Sequence, residues 1–284
     1  MPYRGSIAAF VLGLSLCWSF AGARAFDDDK YPDLSGQWLR TDTGTPRYDP
    51  SKPPGRGQQA PLTPEYQAIL EASLADQANG GQGNWMSGAR CLPPGMPATM
   101  NGYNSMEIVV LPEVTYIMVE HDLPIHRRIF TDGRDWPREI EPSFQGYSIG
   151  QWLDTGGSGH YDVLEAETRG FKGPRSLDNS GLPLHEDNQT VIKERVYFDK
   201  NDPALLHDEM TMTDDALTRP WSALKSYRRS ADKYPIWREE NCPGITLLTK
   251  IGNEMYFKGA DGKLMPTRKD QPPPDLRYFN QVRR

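Results

Sequence analysis

The chain has 284 residues and a formal net charge of −6. An acidic chain lacks the concentrated basic face that binding to a phosphate backbone requires. After the first 25 residues, no stretch stays apolar over the roughly 20 residues of a membrane-spanning helix. Composition therefore argues against nucleic acid as a partner and against membrane insertion of the mature chain.

The first 25 residues have the pattern of a secretory signal peptide. Arg4 supplies a positive start, an apolar run follows, and Ala23-Arg24-Ala25 is a small-x-small cleavage site. Cleavage removes two arginines, which changes the formal net charge from −6 to −8. We therefore expect residues 1–25 to be removed and the mature chain, residues 26–284, to be periplasmic or secreted.

Cleavage also removes Cys17, which leaves Cys91 and Cys242 as the remaining cysteines. An oxidising compartment favours one disulfide between them. Such a bond closes a loop of about 150 residues and contributes roughly 5 kcal/mol in the chain-entropy model. A disulfide between residues this far apart argues against two separate domains, so we expect a single domain.

In chain order, the first predicted elements are a short strand at residues 36–40 and one helix. Thr63 is a suitable N-cap and Pro64 a suitable first residue for this helix. Apolar residues recur at helical spacing until Asn79-Gly80-Gly81 ends it. The Pro-rich stretch between the strand and the helix has no apolar periodicity, and we expect it to be a surface loop.

From residue 106 onward, short runs rich in Val, Ile, Tyr, Phe and Thr alternate with turn residues. This pattern is typical of an antiparallel barrel or sandwich. We therefore predict a mainly β fold, an antiparallel, lipocalin-like β-barrel or a sandwich, with one N-terminal helix and long Pro- and Gly-rich loops. The predicted strands are 106–111, 115–121, 126–131, 161–168, 191–199, 207–213, 223–229, 247–252 and 255–258.

The predicted domain, residues 26–284, has three parts. Residues 26–105 form an extension of loops and the helix, residues 106–258 form the strand-rich body, and residues 259–284 form a surface tail. The prolines of the tail exclude it from a central strand.

Four phrases of the sequence are distinctive: "DLSGQW", "RRIFTDGR", "GYSIGQW" and "QPPPDLRYF". In these phrases the chain resembles an uncharacterised family of secreted bacterial proteins. The resemblance spans nearly all of the mature chain. It implies secretion and a single domain, and it implies no particular activity.

The stretch "VEHDLPIHRRIF" predicts a β-hairpin with residues 122–125 as its loop. In that register His121 lies opposite His126, Glu120 opposite Arg127, and Val119 opposite Arg128. Arg128 would then lie among apolar neighbours, where a guanidinium needs a partner.

His121 and His126 are the metal-ligand candidates of this hairpin. A third ligand would have to come from His185, His207 or Asp208, since none lies nearby in sequence. For that reason we predict no metal or other cofactor.

Glu194 lies in "VIKERVYF", where it alternates with Ile192, Val196 and Phe198 and is predicted to point into the barrel. An inward carboxylate needs a cation or hydrogen-bond donors. A pair between Arg128 and Glu194 would be either structural or the polar floor of a ligand pocket.

"GYSIG", residues 146–150, matches the G-x-S-x-G nucleophile elbow. An elbow needs a strand before it and a helix after it, and the following "QWLDTGGSGH" is typical of a loop. We therefore predict that Ser148 lies in a Gly-bounded turn and is not a nucleophile.

Architecture favours a protein that binds a small, partly apolar ligand in or at the mouth of the barrel. The predicted polar contacts are Glu120, Arg128, Glu194 and His185, with Trp85 and Trp152 as aromatic walls.

Two alternatives remain. The first is a lyase, isomerase or hydrolase in which His126 or His185 exchanges a proton and Arg128 stabilises an oxyanion. The second is an envelope interaction protein with a filled barrel.

Overall fold

The computed structural model of the protein describes residues 28–41, 60–79, 92–101, 105–120, 125–173, 175–177, 182–185, 187–237, 248–251, 254–258, 263–268 and 270–274. Several predictions lie outside these residues, namely those on the signal peptide, Trp85, His121 and the Cys91–Cys242 disulfide.

The described residues form a 3-10 turn, two α-helices and fourteen strands. The helical segments are the 3-10 turn Asp28–Lys30, α1 (Pro64–Ala78) and α2 (Ala98–Asn101). The strands are β1 (Gln37–Arg40), β2 (Met106–Val110), β3 (Val114–Val119), β4 (Ile125–Phe130), β5 (Tyr147–Leu153), β6 (Val163–Arg169), β7 (Arg175–Ser176), β8 (Pro183–Leu184), β9 (Val191–Phe198), β10 (Leu205–Thr213), β11 (Trp221–Arg229), β12 (Leu248–Ile251), β13 (Glu254–Lys258) and β14 (Leu264–Pro266). Within this part of the chain, neither α-helix has the length and apolar character that crossing a bilayer requires.

Nine strands close into one barrel, in the order β1, β11, β10, β9, β6, β5, β4, β3, β2 and back to β1. The predicted mainly β fold is confirmed. Eight neighbouring pairs are antiparallel, but β4 and β5 run parallel, so the barrel is mixed and not purely antiparallel. The cause is the connection through residues 131–146, because a parallel neighbour requires a long crossover where a hairpin would give an antiparallel one.

The barrel strands alternate between a buried and an exposed face, as the two-residue period of a strand requires. In β4, for example, Ile125, Arg127 and Ile129 are buried, and His126 and Arg128 are exposed. The other inward positions are mostly apolar and form one contiguous core. Its largest fully buried apolar members include Trp38, Met106, Ile117, Ile129, Leu164 and Tyr227.

The end of the barrel at which β9 begins and β10 ends is called the cap end here. α1 is anchored there, since the N–H of Thr63 donates to the carbonyl of Ala216, in the turn after β10, at 2.9 Å. α2 is anchored to inward side chains, because the Tyr227 hydroxyl donates to the carbonyl of Met100. β7 and β8 pair with each other and complete the cap.

Two sequence predictions about the strands are wrong. Gln151 to Leu153, assigned to a loop, belong to β5, whose Ser148 lies in mid-sheet beside Ile129 of β4. The hairpin of β3 and β4 pairs Val119 with Ile125 and Ile117 with Arg127, a register different from the predicted one. The predicted loop began two residues too late, and this moved every facing pair along the strand.

Candidate functional site

An ion pair crosses the interior of the barrel. Nη1 of Arg127 on β4 donates to Oε1 of Glu194 on β9 at 2.8 Å, and Nη2 contacts Oε2. Nη2 also donates to Oγ1 of Thr168 at 3.0 Å, and the Thr168 hydroxyl lies 2.8 Å from that of Ser148. Glu194 therefore points inward as its alternation predicts, and its partner is Arg127, not Arg128.

Asp208 on β10 is a buried acid whose hydrogen-bonding capacity is unmet. Neither of its carboxylate oxygens has a hydrogen-bond partner among the residues that the structure describes. Burial raises the pKa of Asp208 well above its usual range, the nearby Glu194 carboxylate raises it further, and the Arg127 guanidinium opposes both effects. Lys225 lies opposite Asp208 in the register and is also fully buried, but in the described structure the Asp208 carboxylate forms no hydrogen bond with the Lys225 side chain.

Side chains fill the barrel at the level of these polar groups. Arg127, Thr168, Glu194 and Asp208 are each at most 2% exposed. With so little accessible surface, these groups offer no contact to a ligand from solvent. The pair of Arg127 with Glu194 is therefore structural, and the sites that a ligand from solvent can reach lie on the surface.

The predicted acid–base residues lie in two places. His126 and Arg128 are exposed on the outer face of β4, opposite Met118 and Tyr116. His185 follows β8 at the cap end, where its hydrogen bonds go to Asp187 and Asp214. His126 and Arg128 therefore share one face of β4, two residues apart, whereas His185 lies elsewhere.

The predicted ligand contacts are also dispersed. Glu120, which follows β3 at the cap end, is half-buried and accepts a hydrogen bond from the Ser105 hydroxyl. Trp152 is half-buried near the opposite end, where its indole N–H donates to Oγ1 of Thr115 at 3.2 Å. The ring of Tyr31 packs edge-on against Trp152, with the ring centroids 5.7 Å apart.

At the cap end, three side chains with metal-ligating atoms converge: His185, Asp187 and Asp215. One ligand atom from each lies within 4.8 Å of the other two. Nδ1 of His185 lies 3.2 Å from Oδ2 of Asp187, and these two side chains are 37% and 29% exposed. A hydrogen bond with Asp187 raises the pKa of Asp215. The ring of Tyr66, on α1, lies against the His185 ring, with centroids 5.7 Å apart.

A buried network holds the segments that carry these three groups. Oδ1 of Asp214 accepts the backbone N–H of His185 at 2.9 Å, and Oδ2 accepts the Thr190 hydroxyl at 2.6 Å. Nη2 of Arg175 donates to the carbonyl of His185 at 2.7 Å and lies 3.6 Å from Oδ2 of Asp214. Burial lowers the pKa of Arg175, and the Asp214 carboxylate opposes that effect. Arg175 and Asp214 thus neutralise each other, and both hold the backbone of His185.

A groove of about 720 Å³, the N-terminal groove, lies near the opposite end of the barrel. It runs between residues 29–36 and strand β2. Its lining combines apolar and acidic residues. They are Asp29, Tyr31, Pro32, Asp33, Leu34, Ser35, Gly36, Glu107, Ile108, Val109 and Val110.

The carboxylates of this groove are not equivalent. Asp33 accepts a hydrogen bond from Arg229 at 2.9 Å, and its pKa is lowered first by a hydrogen bond from Ser35 and then by Arg229. Asp29 and Glu107 form no ion pair with any residue that the structure describes. Two acidic residues of this lining therefore have no ion-pair partner among the described residues, and they lie in one groove with apolar residues.

A second groove, of about 510 Å³, lies on the outer face of β5, β6 and β9. Its charged lining is largely self-paired. Arg195 lies 3.2 Å from Glu165, and Lys193 lies 3.7 Å from Glu167. This groove therefore offers fewer unmet charges than the N-terminal groove.

Sequence reasoning identified His185 but missed Asp187, Asp215 and Arg175. Asp187 is two residues after His185, and Asp215 is two residues after the end of β10. Their approach depends on how the segment before β9 meets the turn after β10, which no local pattern shows. Comparisons with models of protein families, with curated proteins and with solved structures found no match to this chain.

Proposed function

We propose that this protein binds a small, partly apolar ligand in the N-terminal groove. The observation that carries the proposal is the combination of apolar wall and uncompensated carboxylates in one concave space of about 720 Å³. Pockets for small molecules are mostly apolar, with a few polar groups that fix orientation. Tyr31, Leu34 and Val109 supply the first property, and Asp29 and Glu107 supply the second.

The charge of the groove sets the class of ligand. Asp29 and Glu107 are acceptors, so they favour a ligand with a positive charge or with several N–H or O–H donors. Because both carboxylates lie at the surface, their attraction should weaken as salt is added. An anionic ligand of the same size and shape should bind less tightly.

The proposed mode is lipocalin-like in a general sense, since a small molecule binds at the end of a closed barrel. It differs in placing the ligand beside the barrel wall, because side chains occupy the interior. A periplasmic or secreted location belongs to the same proposal, and it rests on the sequence of residues 1–25.

Native mass spectrometry of protein purified from its own periplasm tests this function directly. An organic adduct that is released on denaturation, with a cationic or donor-rich structure, is the expected result. Titration with thioflavin T, a cationic apolar dye, gives a second measurement with a known probe. The anionic dye 8-anilinonaphthalene-1-sulfonate is the charge-reversed control.

Two variants connect dye binding to this groove. Val109→Lys places a cation on the apolar wall and should weaken thioflavin T binding about tenfold, equivalent to 1.4 kcal/mol. Glu107→Gln should weaken it less and should reduce its salt dependence. Leu74→Lys is the matched control, because Leu74 on α1 is 39% exposed and Val109 is 42% exposed. Dye affinity that is the same in all three variants would disprove the assignment.

A further inference from the structure

The cluster at the cap end presents more lone pairs than donors. Nδ1 of His185 accepts the backbone N–H of Asp187 at 3.2 Å, which leaves that nitrogen as an acceptor. The same Nδ1 lies 3.2 Å from a carboxylate oxygen of Asp187, and the carboxyl of Asp215 completes the set. Several acceptors therefore face one another, and the donors among the described residues are this backbone N–H and the carboxyl proton that Asp187 and Asp215 share. Within the part of the chain that the structure describes, no Lys or Arg forms an ion pair with this set.

The charges around the cluster also favour a bound cation. Asp187 attracts the buried guanidinium of Arg175, but that guanidinium is engaged by Asp214 and by the carbonyl of His185. No Lys or Arg of the described residues forms an ion pair with Asp187 or Asp215. Two carboxylates in contact repel each other unless a proton or a cation lies between them. The cluster consequently carries an excess of negative charge at a point that solvent reaches.

The three groups are also held in place before any ion arrives. Asp214, the residue before Asp215, accepts at its Oδ1 the N–H of His185 at 2.9 Å and that of Ala216, the residue after Asp215, at 2.8 Å. Tyr66 supports the imidazole ring from α1. Outer contacts that fix the orientation of ligating side chains are a regular feature of metal sites. Little ordering would remain to oppose ion binding.

We propose that His185, Asp187 and Asp215 bind one divalent transition-metal ion, of the Mn²⁺ or Zn²⁺ type, at the cap end of the barrel. One imidazole with two carboxylates suits borderline divalent ions, whereas Ca²⁺ prefers an all-oxygen set of six to eight ligands. Three protein ligands leave at least one coordination position open to water or to an oxygen donor of a small molecule. The site therefore resembles an open metal centre more than a closed structural one.

This inference does not depend on the N-terminal groove. The groove lies near the barrel end at which β9 ends, and the cluster lies at the end at which β9 begins. A chain without a groove ligand would still bind the ion, and a chain without the ion would still bind dye.

The test uses the mature protein, treated with a chelator, dialysed, and kept with its thiols blocked. Equilibrium dialysis against Mn²⁺ and Zn²⁺, read by elemental analysis, should give about one ion per chain. His185→Ala and Asp215→Asn should each weaken binding by at least tenfold. His207→Ala is the matched control, because His207 also pairs with one carboxylate, with Nε2 3.0 Å from Oδ2 of Asp199, and should leave binding unchanged.

A spectroscopic measurement distinguishes the loss of the metal site from misfolding of a variant. Co²⁺ in place of Zn²⁺ should give visible absorption bands that His185→Ala removes while the circular dichroism spectrum stays as in the parent protein. Asp187→Asn provides a third, independent variant with the same expected loss. Failure of Mn²⁺ and Zn²⁺ to bind, or binding that survives both His185→Ala and Asp215→Asn, would overturn the proposal.

Discussion

Arg127 and Glu194 form a bidentate ion pair across the inside of the barrel, with each side chain about 1% exposed. Their strands, β4 and β9, are separated by β5 and β6 in the barrel order, so the pair connects parts of the wall that do not touch through the backbone. Two parallel N–H···O contacts fix the orientation of both planes. The cost of desolvating two charges offsets most of this attraction, so the consequence of the pair depends on whether both members are present.

The first prediction concerns the loss of one member of this pair. Arg127→Met leaves the Glu194 carboxylate buried without its cation and should lower the free energy of unfolding by about 3–5 kcal/mol. Arg128→Met is the matched control, since Arg128 is exposed on the outer face of the same strand. It should change stability by less than about 0.5 kcal/mol. Urea unfolding followed by circular dichroism measures both values.

A double variant distinguishes the buried charge from a simple packing loss. Arg127→Met combined with Glu194→Met removes both charges, and it should recover most of the stability lost in Arg127→Met alone. The structural assignment would be wrong if Arg128→Met were as damaging as Arg127→Met, or if the double variant were less stable than the single one by the full cost of a second deletion.

Inside the barrel, the sequence predicted the direction of the Glu194 side chain but not its partner. Alternation in β9 was sufficient to predict that Glu194 points inward, because the two-residue period is local. The identity of its partner was not predictable in the same way. Arg127 and Arg128 are adjacent and point to opposite faces, so the choice depends on the hairpin register, and the pairing of Val119 with Ile125 reverses the predicted choice.

The cap end shows where sequence reasoning stops. His185 was a candidate from its residue type alone, and the two aspartates that approach it were not. They meet because Asp214 connects the segment before β9 to the turn after β10, through hydrogen bonds to His185 and Ala216. The two segments lie together because β9 pairs with β10, with Val191 opposite Thr213, so the start of β9 lies beside the end of β10. No short window of sequence contains that information.

The second prediction concerns Asp208 and pH. Burial keeps the pKa of Asp208 well above its usual range in the folded protein. The folded protein thus keeps this proton at pH values at which the unfolded chain, with a carboxyl pKa of about 3.9, has lost it. Stability from this group is fully present below the unfolded pKa and is lost as pH rises towards the folded pKa. Asp208→Asn should therefore gain stability relative to the parent protein as pH increases from 4 to 8.

Asp202 provides a control of opposite sign for this measurement. A hydrogen bond from Arg228 is the main cause that lowers the pKa of Asp202, so its contribution is present above the unfolded pKa and lost as pH falls. Asp202→Asn should lose stability relative to the parent protein at pH 8 and not at low pH. Urea midpoints at four or more pH values separate the two slopes. Equal pH dependence in Asp208→Asn and the parent protein would contradict the assignment of Asp208 as a buried neutral acid.

The third prediction concerns the glycine that opens "GYSIG". Gly146 has φ of +69°, and a Cβ atom added there would lie 2.6 Å from Cε1 of Phe171 and 2.8 Å from the carbonyl oxygen of Arg169. Gly157 has nearly the same φ, +65°, but nothing lies within 4 Å of an added Cβ. Alanine at either position incurs the left-handed backbone cost of about 1–2 kcal/mol.

The difference between the two glycines isolates the effect of packing. Gly146→Ala should cost about 1–3 kcal/mol more than Gly157→Ala, because Phe171 is fully buried and the contact with Arg169 involves rigid backbone. Thermal and urea unfolding of both variants give the comparison. If this glycine served a reactive elbow at Ser148, Gly146→Ala would be expected to alter chemistry with little change in stability. A larger loss of stability at Gly146 supports the structural role of this glycine. Equal costs at both positions would show that a Cβ atom at Gly146 does not collide with Phe171 and the backbone of Arg169.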